Sequence, residues 1–258
     1  MHRAQEGDFN VRSHLKINNE IGHLANTFNE MLAKIKLLME NIVATEEQKR
    51  KSEIKALQAQ INPHFLYNTL DTIIWMSAGG KNEEVMETTS ALAKLFRTSI
   101  SKGDHLIPLA VEIENIKSYL VIQKMRYKDK LTYQIAIPPE LRNLKTPKLI
   151  LQPIVENAVY HGIKLNPNGG EIRIGAYSED DDLILTVEDD GVGMNKQQIA
   201  NLFTYKEHSD RGIGIINVHK RIQLCFGEQY GLHYQSNLGV GTRVQIRLPK
   251  IEEGETDE

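Results

Sequence analysis

A single cysteine in 258 residues has nothing to pair with inside the chain, so an internal disulfide framework is excluded and a reducing compartment is expected. That residue, Cys225, stands beside Phe226 at the end of an apolar helical pattern and is expected as a core thiol. Charge of one sign is not in excess: 31 Lys and Arg face 34 Asp and Glu, for a net charge of −3. Nothing therefore marks nucleic acid as a partner. No apolar run reaches the roughly eighteen residues that a membrane helix needs, and no signal peptide is visible. No G-x-x-x-x-G-K-[ST] occurs, so a Walker P-loop is excluded. What is present is ordinary for globular protein, 40% apolar and 25% charged, at a length that suggests two domains.

The first half reads as helices. Phe28, Met31, Ile35, Leu38 and Ile42 are spaced 3, 4, 3, 4, an a/d seam of the kind that pairs helices. The charged stretch Glu46–Lys51 reads as a solvated continuation of that helix. Ile54, Leu57, Ile61 and Phe65 follow with the seam out of phase. Gly79-Gly80 ends this region. A second helix is expected over Glu83–Ser101, with Leu92, Leu95 and Phe96 toward a core, and a third from about Leu109 to Tyr127. Two helices joined by a Gly turn form an antiparallel hairpin. Without a core of its own, such a hairpin is expected to pair with a second copy as a four-helix bundle, making a homodimer.

From Leu131 the apolar period changes to two. Thr132–Ile137, Ile172–Ala176, Leu183–Val187 and Val244–Leu248 read as half-buried strands. Helical patterns at Lys148–Lys164, Lys196–Phe203 and Ile213–Phe226 lie between them. The expected fold is therefore an all-α helical hairpin and coiled-coil dimerisation region followed by an α+β sandwich, with helices on one face of a mixed sheet.

Three segments of this second half converge on one chemistry. In LQPIVENAVYHG, Glu156 and Asn157 interrupt an apolar helix and His161 lies one turn later. An amide oxygen such as that of Asn157 suits Mg²⁺ when a triphosphate supplies most other ligands. His161 and Lys164 are on the same face, toward phosphate oxygens. In EDDGVG, Asp189 closes a strand, where its carboxylate can accept the amino proton of adenine, and Gly191 and Gly193 permit close backbone approach. In RGIGI, Gly212 and Gly214 open a helix whose N–H groups can face phosphate. Thr242, in GVGT before the last strand, lies near the adenine-binding carboxylate. Taken singly, these are a polar helix face, an Asp-Gly turn and a lone G-x-G. Together and in this order they resemble the ATP-binding fold of gyrase-type ATPases and histidine kinases, the Bergerat (GHKL/HATPase) type. Met194–Arg211 would then be a lid over the phosphates.

About ninety residues upstream lies LQAQINPHFLYNTL. His64 and Asn68, four apart, share one helix face. Pro63 either kinks a continuous helix, the preferred reading, or starts a new one capped by Asn62. The segment QINPHFLYNTL resembles the phosphoacceptor box of LytS/YesM-type sensor histidine kinases, and YLVIQKMRY at Tyr119–Tyr127 and the ATP-site segments match the same family. Residues 50–250 share the likeness. Gly7-Asp8-Phe9, Asn19–Leu24 and Phe28–Met31 resemble the second half of a HAMP relay module, which in that family follows a transmembrane helix.

The resemblance implies a division into a partial HAMP and signalling helix (1–45), a dimerisation and histidine phosphotransfer domain (46–104), a catalytic ATP-binding domain (105–250) and an acidic tail (251–258). It implies a cytoplasmic portion of a plasma-membrane receptor, attached through a segment outside this chain. It further implies that His64, through Nε2 or Nδ1, takes the γ-phosphate of ATP with Mg²⁺ at Asn157. The phosphoryl group would then pass to an aspartate of a response regulator. Asn68 would place a water for the reverse, phosphatase reaction. Phe65 stands where most histidine kinases have an acidic base, so the base is open; Glu156, adjacent to the metal site, is a candidate to orient or deprotonate His64. The alternatives are an ATP-binding dimeric signalling module without phosphotransfer, and a serine kinase or free ATPase on the same fold.

Overall fold

The computed structural model describes Val11 and residues 20–60, 63–100, 106–202 and 213–252. The chain divides into two compact units, before and after the Asn62–Pro63 junction. In the first, α1 (Glu20–Gln60) is one helix that runs without a break through the charged stretch 46–51. Of the predicted seam, Met31, Leu38 and Ile42 are exposed. The HAMP-like positions 7–9 and 19 lie outside the described residues. So do residues 61–62, on which the choice between kink and fresh start at Pro63 turns. No described helix is long and apolar enough to cross a membrane.

In the second unit, α2 (Pro63–Ala78) and α3 (Asn82–Ile100) form the expected hairpin. Gly80 takes φ 71° at the turn, and the Gly79 and Lys81 N–H groups close the last turn of α2 on the Trp75 and Met76 carbonyls. The hairpin is not coreless, as the sequence suggested. α4 (Leu109–Tyr127) packs along it, and Phe65, Ala91, Leu92 and Leu95 join Ile113, Ile116, Tyr119 and Leu120 in one core. Tyr67, Leu70, Ile74 and Trp75 remain exposed on α2.

After α4, a five-stranded sheet runs in the order β2 (Leu131–Ala136), β4 (Gly170–Glu179), β5 (Asp182–Asp189), β7 (Gly241–Pro249), β6 (Gly231–Asn237). Only β2–β4 is parallel. A two-stranded piece, β1 (Leu106–Pro108) with β3 (Lys145–Pro147), sits beside it. The helices α4, α5 (Leu151–Asn157) and α7 (Ile213–Phe226) supply the apolar layer against the sheet, and α6 (Lys196–Asn201) lies between β5 and α7 in the chain. This is the expected α+β sandwich.

Two details differ from the sequence reading. β5 is buried on both faces, not alternately, with Ile184 and Thr186 covered as well as Leu183, Leu185 and Val187. The neighbouring strands explain this: Gln245 Nε2 donates to Tyr177 Oη at 3.1 Å, and these side chains, with that of Arg247, stand beside Ile184 and Thr186 in the sheet register. Cys225 is exposed, not a core thiol. The buried stripe of α7 is Ile215, Val218 and Ile222, and Phe226 continues it four residues on, meeting Tyr230 edge-on at 6.2 Å. Cys225 falls beside that stripe.

The start of α5 is held by one buried carboxylate. Glu112 of α4, 1% exposed, accepts the N–H groups of Leu149 (2.5 Å), Ile150 (3.1 Å) and Leu151 (3.2 Å). These are among the donors that a helix start leaves unpaired. Burial pushes the carboxyl up from its usual range, against the three N–H bonds and the charge of Arg221. Arg221 also donates to the Lys148 carbonyl at 2.8 Å. Between these anchors Leu149 is held at φ 59°, a conformation that costs a branched residue energy. Glu112→Ala would leave three buried donors unmet and is expected to lower stability by about 3 kcal/mol or more. Glu112→Gln, which keeps one oxygen, is expected to lower it less. Urea denaturation midpoints measure both; an unchanged midpoint for Glu112→Ala would refute this role.

Candidate functional site

A cavity of about 500 Å³ opens between α5, the end of β5, α6, α7 and the β6–β7 strands. Ile154, Val187, Ile215 and Val244 give it apolar walls, and Asn157, His161, Asp189, Gln198, Asn201, Tyr234 and Thr242 bring polar atoms to it.

Its geometry starts at α5. The helix does not run regularly to Lys164 as expected. After Asn157 it widens into a π-type turn over Ala158–Ile163, and the Lys164 N–H reaches back five residues to the Val159 carbonyl at 2.9 Å. Such widened turns recur at functional sites. Here the turn brings Gly162 against the loop after β5. A Cβ on Gly162 would lie 2.5 Å from Asp189 Oδ1, and one on Gly191 would lie 2.4 Å from the Gly162 carbonyl carbon. Only glycine at both positions lets these backbones touch, and the contact sets the Asp189 carboxylate over the turn that follows Asn157.

The two adjacent aspartates have separate tasks. Asp190 Oδ1 accepts the Glu171 N–H at 2.7 Å and ties the loop to β4. Asp189 lines the cavity, and its Oδ1 accepts the Gly191 N–H at 3.0 Å. The Thr242 backbone N–H also reaches the Asp189 carboxylate. Burial, opposed by these N–H bonds, pushes the Asp189 carboxyl from 3.8 up to about 6. It is an acceptor at neutral pH. Burial, helped by the Asp189 charge, drives the Tyr234 hydroxyl well above its usual range, so it stays neutral.

Asn157 Nδ2 donates to the Pro153 carbonyl at 2.8 Å. The helix thus uses the donor end of the amide, and Oδ1 is the acceptor left for the cavity. That donor chemistry fits a hard cation such as Mg²⁺.

Of the residues singled out from sequence, Asn157, His161, Asp189, Gly193 and Thr242 line the cavity, and Glu156, Lys164, Gly191 and Gly214 do not. Gly212 and the second half of the expected lid (203–211) lie outside the described residues. Within the expected lid, α6 is capped reciprocally, Asn195 Oδ1 accepting the Gln198 N–H at 2.9 Å and Gln198 Oε1 accepting the Asn195 N–H at 2.8 Å. The Lys164 ammonium sits 5.6 Å from the Tyr160 ring centroid. Glu156 accepts from Gln152 Nε2 at 3.0 Å, and its charge bears on Tyr119 of α4. Burial raises the Glu156 carboxyl, against the Gln152 bond. Sequence reasoning missed Tyr234, Gln198 and Asn201; the alternation Leu232, Tyr234 was the signal for the strand that carries Tyr234.

His64 and Asn68 lie on α2, outside the cavity lining. His64 is exposed, and Asn68 Nδ2 lies 3.1 Å from His64 Nδ1. An amide nitrogen only donates, so in this arrangement Nδ1 accepts and a neutral ring carries its proton on Nε2. Phe65 turns the other way, stacking on Tyr119 with ring centroids 5.3 Å apart.

Comparison with known proteins agrees with this layout. Residues 52–131 match the family model described as histidine kinase, and residues 145–252 match that of the histidine kinase-, DNA gyrase B- and HSP90-like ATPases. Sensor histidine kinase YesM of Bacillus subtilis is 36% identical over 89% of this chain and 39% of its own length. Sensor histidine kinase BtsS of Escherichia coli is 35% identical over 83% of this chain and 37% of its own. Sensor protein LytS of Bacillus cereus is 28% identical over 93% of this chain and 42% of its own. The chain thus spans well under half the length of these relatives. The two family domains in this order, on a helical hairpin and a GHKL-type sandwich, establish that the chain belongs to the LytS/YesM-type sensor histidine kinase family.

Proposed function

We propose that the chain is the kinase portion of a two-component sensor that moves the γ-phosphoryl group of ATP onto His64 and from there to an aspartate of a response regulator. The observation that carries this reading is the pairing of an exposed imidazole, hydrogen-bonded to Asn68, with an acceptor-ended cavity of nucleotide size in the same compact unit. Adenine places its amino group at Asp189, and the phosphates run toward Asn157 and His161. Asn157 Oδ1 is the protein group that would hold Mg²⁺. That ion would neutralise charge on the phosphates.

His64 must offer a lone pair. Half a turn of the Asn68 amide presents Oδ1 to Nδ1–H and leaves Nε2 free as the nucleophile. The Nε2–P bond forms as the bond from Pγ to the β,γ-bridging oxygen breaks and ADP departs. The Nδ1 proton then passes to solvent, because the ring is exposed. No carboxylate need abut it, which suits Phe65 at the next position. Glu156, off the cavity and beside Gln152, is read as a positioning residue for the Asn157 turn, in place of a base. In the reverse sense Asn68 would orient a water toward the aspartyl phosphate of the response regulator; the water's bond to phosphorus forms as the bond to the aspartate oxygen breaks, releasing inorganic phosphate and the free carboxylate.

The domain division proposed from the sequence, the homodimer and the membrane-receptor setting belong to the same reading. The exposed Tyr67, Leu70, Ile74 and Trp75 on α2, and the exposed stripe on α1, support pairing with a second copy. Sedimentation at micromolar concentration is expected to give a dimer; a strictly monomeric mass would count against it. With γ-labelled ATP and Mg²⁺, acid-labile, alkali-stable label is expected on the protein. His64→Gln should abolish it without loss of nucleotide binding. Label that survives this change would sink the proposal.

Nucleotide binding should also follow the Asp189 carboxyl. The carboxylate form accepts the adenine amino group, so ATP affinity is expected to fall about tenfold per pH unit below about 6. In the free protein the sign for folding is opposite. The folded value lies above the unfolded one, so the carboxyl's contribution is full below 3.8 and is lost as the pH rises through about 6. Calorimetric titration between pH 5 and 8, in roughly half-unit steps, tests the binding profile, and Asp189→Asn should flatten it. A wild-type profile already flat across pH 6 would refute the assignment.

A further inference from the structure

Ser236 of β6 faces Thr242 of β7 as its register partner. Its hydroxyl has three polar neighbours: the Gly241 carbonyl at 2.8 Å, the Met194 N–H at 2.8 Å and Thr242 Oγ1 at 3.0 Å. A serine hydroxyl offers one hydrogen and two lone pairs. The Gly241 carbonyl can only accept, so it takes the hydrogen. The Met194 N–H can only donate, so it takes one lone pair. The remaining lone pair faces Thr242, whose hydroxyl must therefore be the donor in that contact. With its hydrogen spent on Ser236, Thr242 Oγ1 meets the cavity as an acceptor only. The neighbouring group there is Asp189, also an acceptor, and tied to Thr242 by the backbone N–H.

From this network we infer that Ser236 is a positioning residue that sets the base selectivity of the cavity, making it favour 6-aminopurine nucleotides over 6-oxopurine nucleotides. Asp189 alone does not discriminate well. Its carboxylate accepts the amino hydrogen of adenine, but it can equally accept N1–H of hypoxanthine or guanine. A second acceptor of fixed direction does discriminate, since it stands against the carbonyl oxygen of a 6-oxopurine. A freely turning threonine hydroxyl would instead donate to that oxygen and admit it. Ser236 removes that freedom. The same hydroxyl holds Met194, at the head of the segment that leads into α6, so the base end and the start of the lid share one anchor.

The inference rests on the reading that the Asp189 end of the cavity receives the base. Equilibrium binding of ATP and ITP to the full chain, by calorimetry, separates the two claims. The wild type is expected to prefer ATP; equal affinities would overturn the placement of the base itself. In Ser236→Ala the ATP-to-ITP affinity ratio is expected to fall at least about fivefold, with ITP gaining relative to ATP. Ser236→Thr, which restores the hydroxyl, should keep the wild-type ratio. A loss of fold or of packing would weaken both nucleotides together and would not move the ratio. An unchanged ratio in Ser236→Ala, with a selective wild type, overturns the role of Ser236. Should that variant fail to fold, Thr242→Val removes the fixed acceptor and leaves Ser236 its bonds to Gly241 and Met194. Its ratio is expected to fall likewise, and an unchanged ratio again overturns the proposal.

Discussion

Three backbone N–H groups converge on the Glu112 carboxylate, and the working parts of the second unit are arranged around that buried joint. α4 has little solvent-facing surface. Its Tyr119 ring meets Phe65 of the hairpin, and its Glu112 holds the start of α5. A carboxylate so placed is costly to bury, and the N–H bonds and Arg221 offset that cost. What results is a fixed position for α5, hence for Asn157 and for the π-type turn where Gly162 meets Gly191. The Asp189 end of the cavity follows from the turn, because the carboxylate lies over Gly162.

The same helix accounts for the departure at Phe65. In place of an acidic neighbour, His64 has an aromatic ring that packs on Tyr119, in the all-round buried part of α4. Anchoring one side of α2 this way turns His64 and Asn68 outward together. Further along, Tyr119 meets Gln123, whose Nε2 donates to its hydroxyl at 2.8 Å, and the charge of Glu156 on α5. The helix bearing His64 and the helix bearing Asn157 thus pack on one intervening element. Exposure of the ring, and not a dedicated carboxylate, is what the proposed chemistry at His64 draws on.

Much of this was legible in the sequence. Period-3.6 patterns marked α4 from Leu109 to Tyr127, and the Gly79-Gly80 pair marked the hairpin turn. Period-2 alternation marked β2, β4, β5 and β7. What escaped had physical causes. β6 reads GLHYQSN, too polar to stand out as a strand, yet it brings Tyr234 to the cavity and Ser236 beside Thr242. The π-type turn has no local signature, since Gly162 is required by the approach of Gly191 and Asp189 from a distant strand. The hairpin looked coreless because the helix that covers it lies beyond the next loop. Cys225 looked buried because its neighbours are apolar, whereas the stripe continues through Phe226. Lys164, past the π-type turn, does not line the cavity, because widening the helix changes which side chains share a face with Asn157. Glu156 is absent from the lining for a simpler reason: adjacent residues of an α-helix point about 100° apart.

The cavity and His64 are proposed to serve one transfer. The decisive measurement is the position and chemistry of the phosphoryl group after incubation with ATP and Mg²⁺, mapped by mass spectrometry without acid treatment. Phosphohistidine at His64 is the expected result. A phosphoryl group on a serine, threonine or tyrosine, or bound nucleotide with no phosphoryl group on the chain, would contradict it.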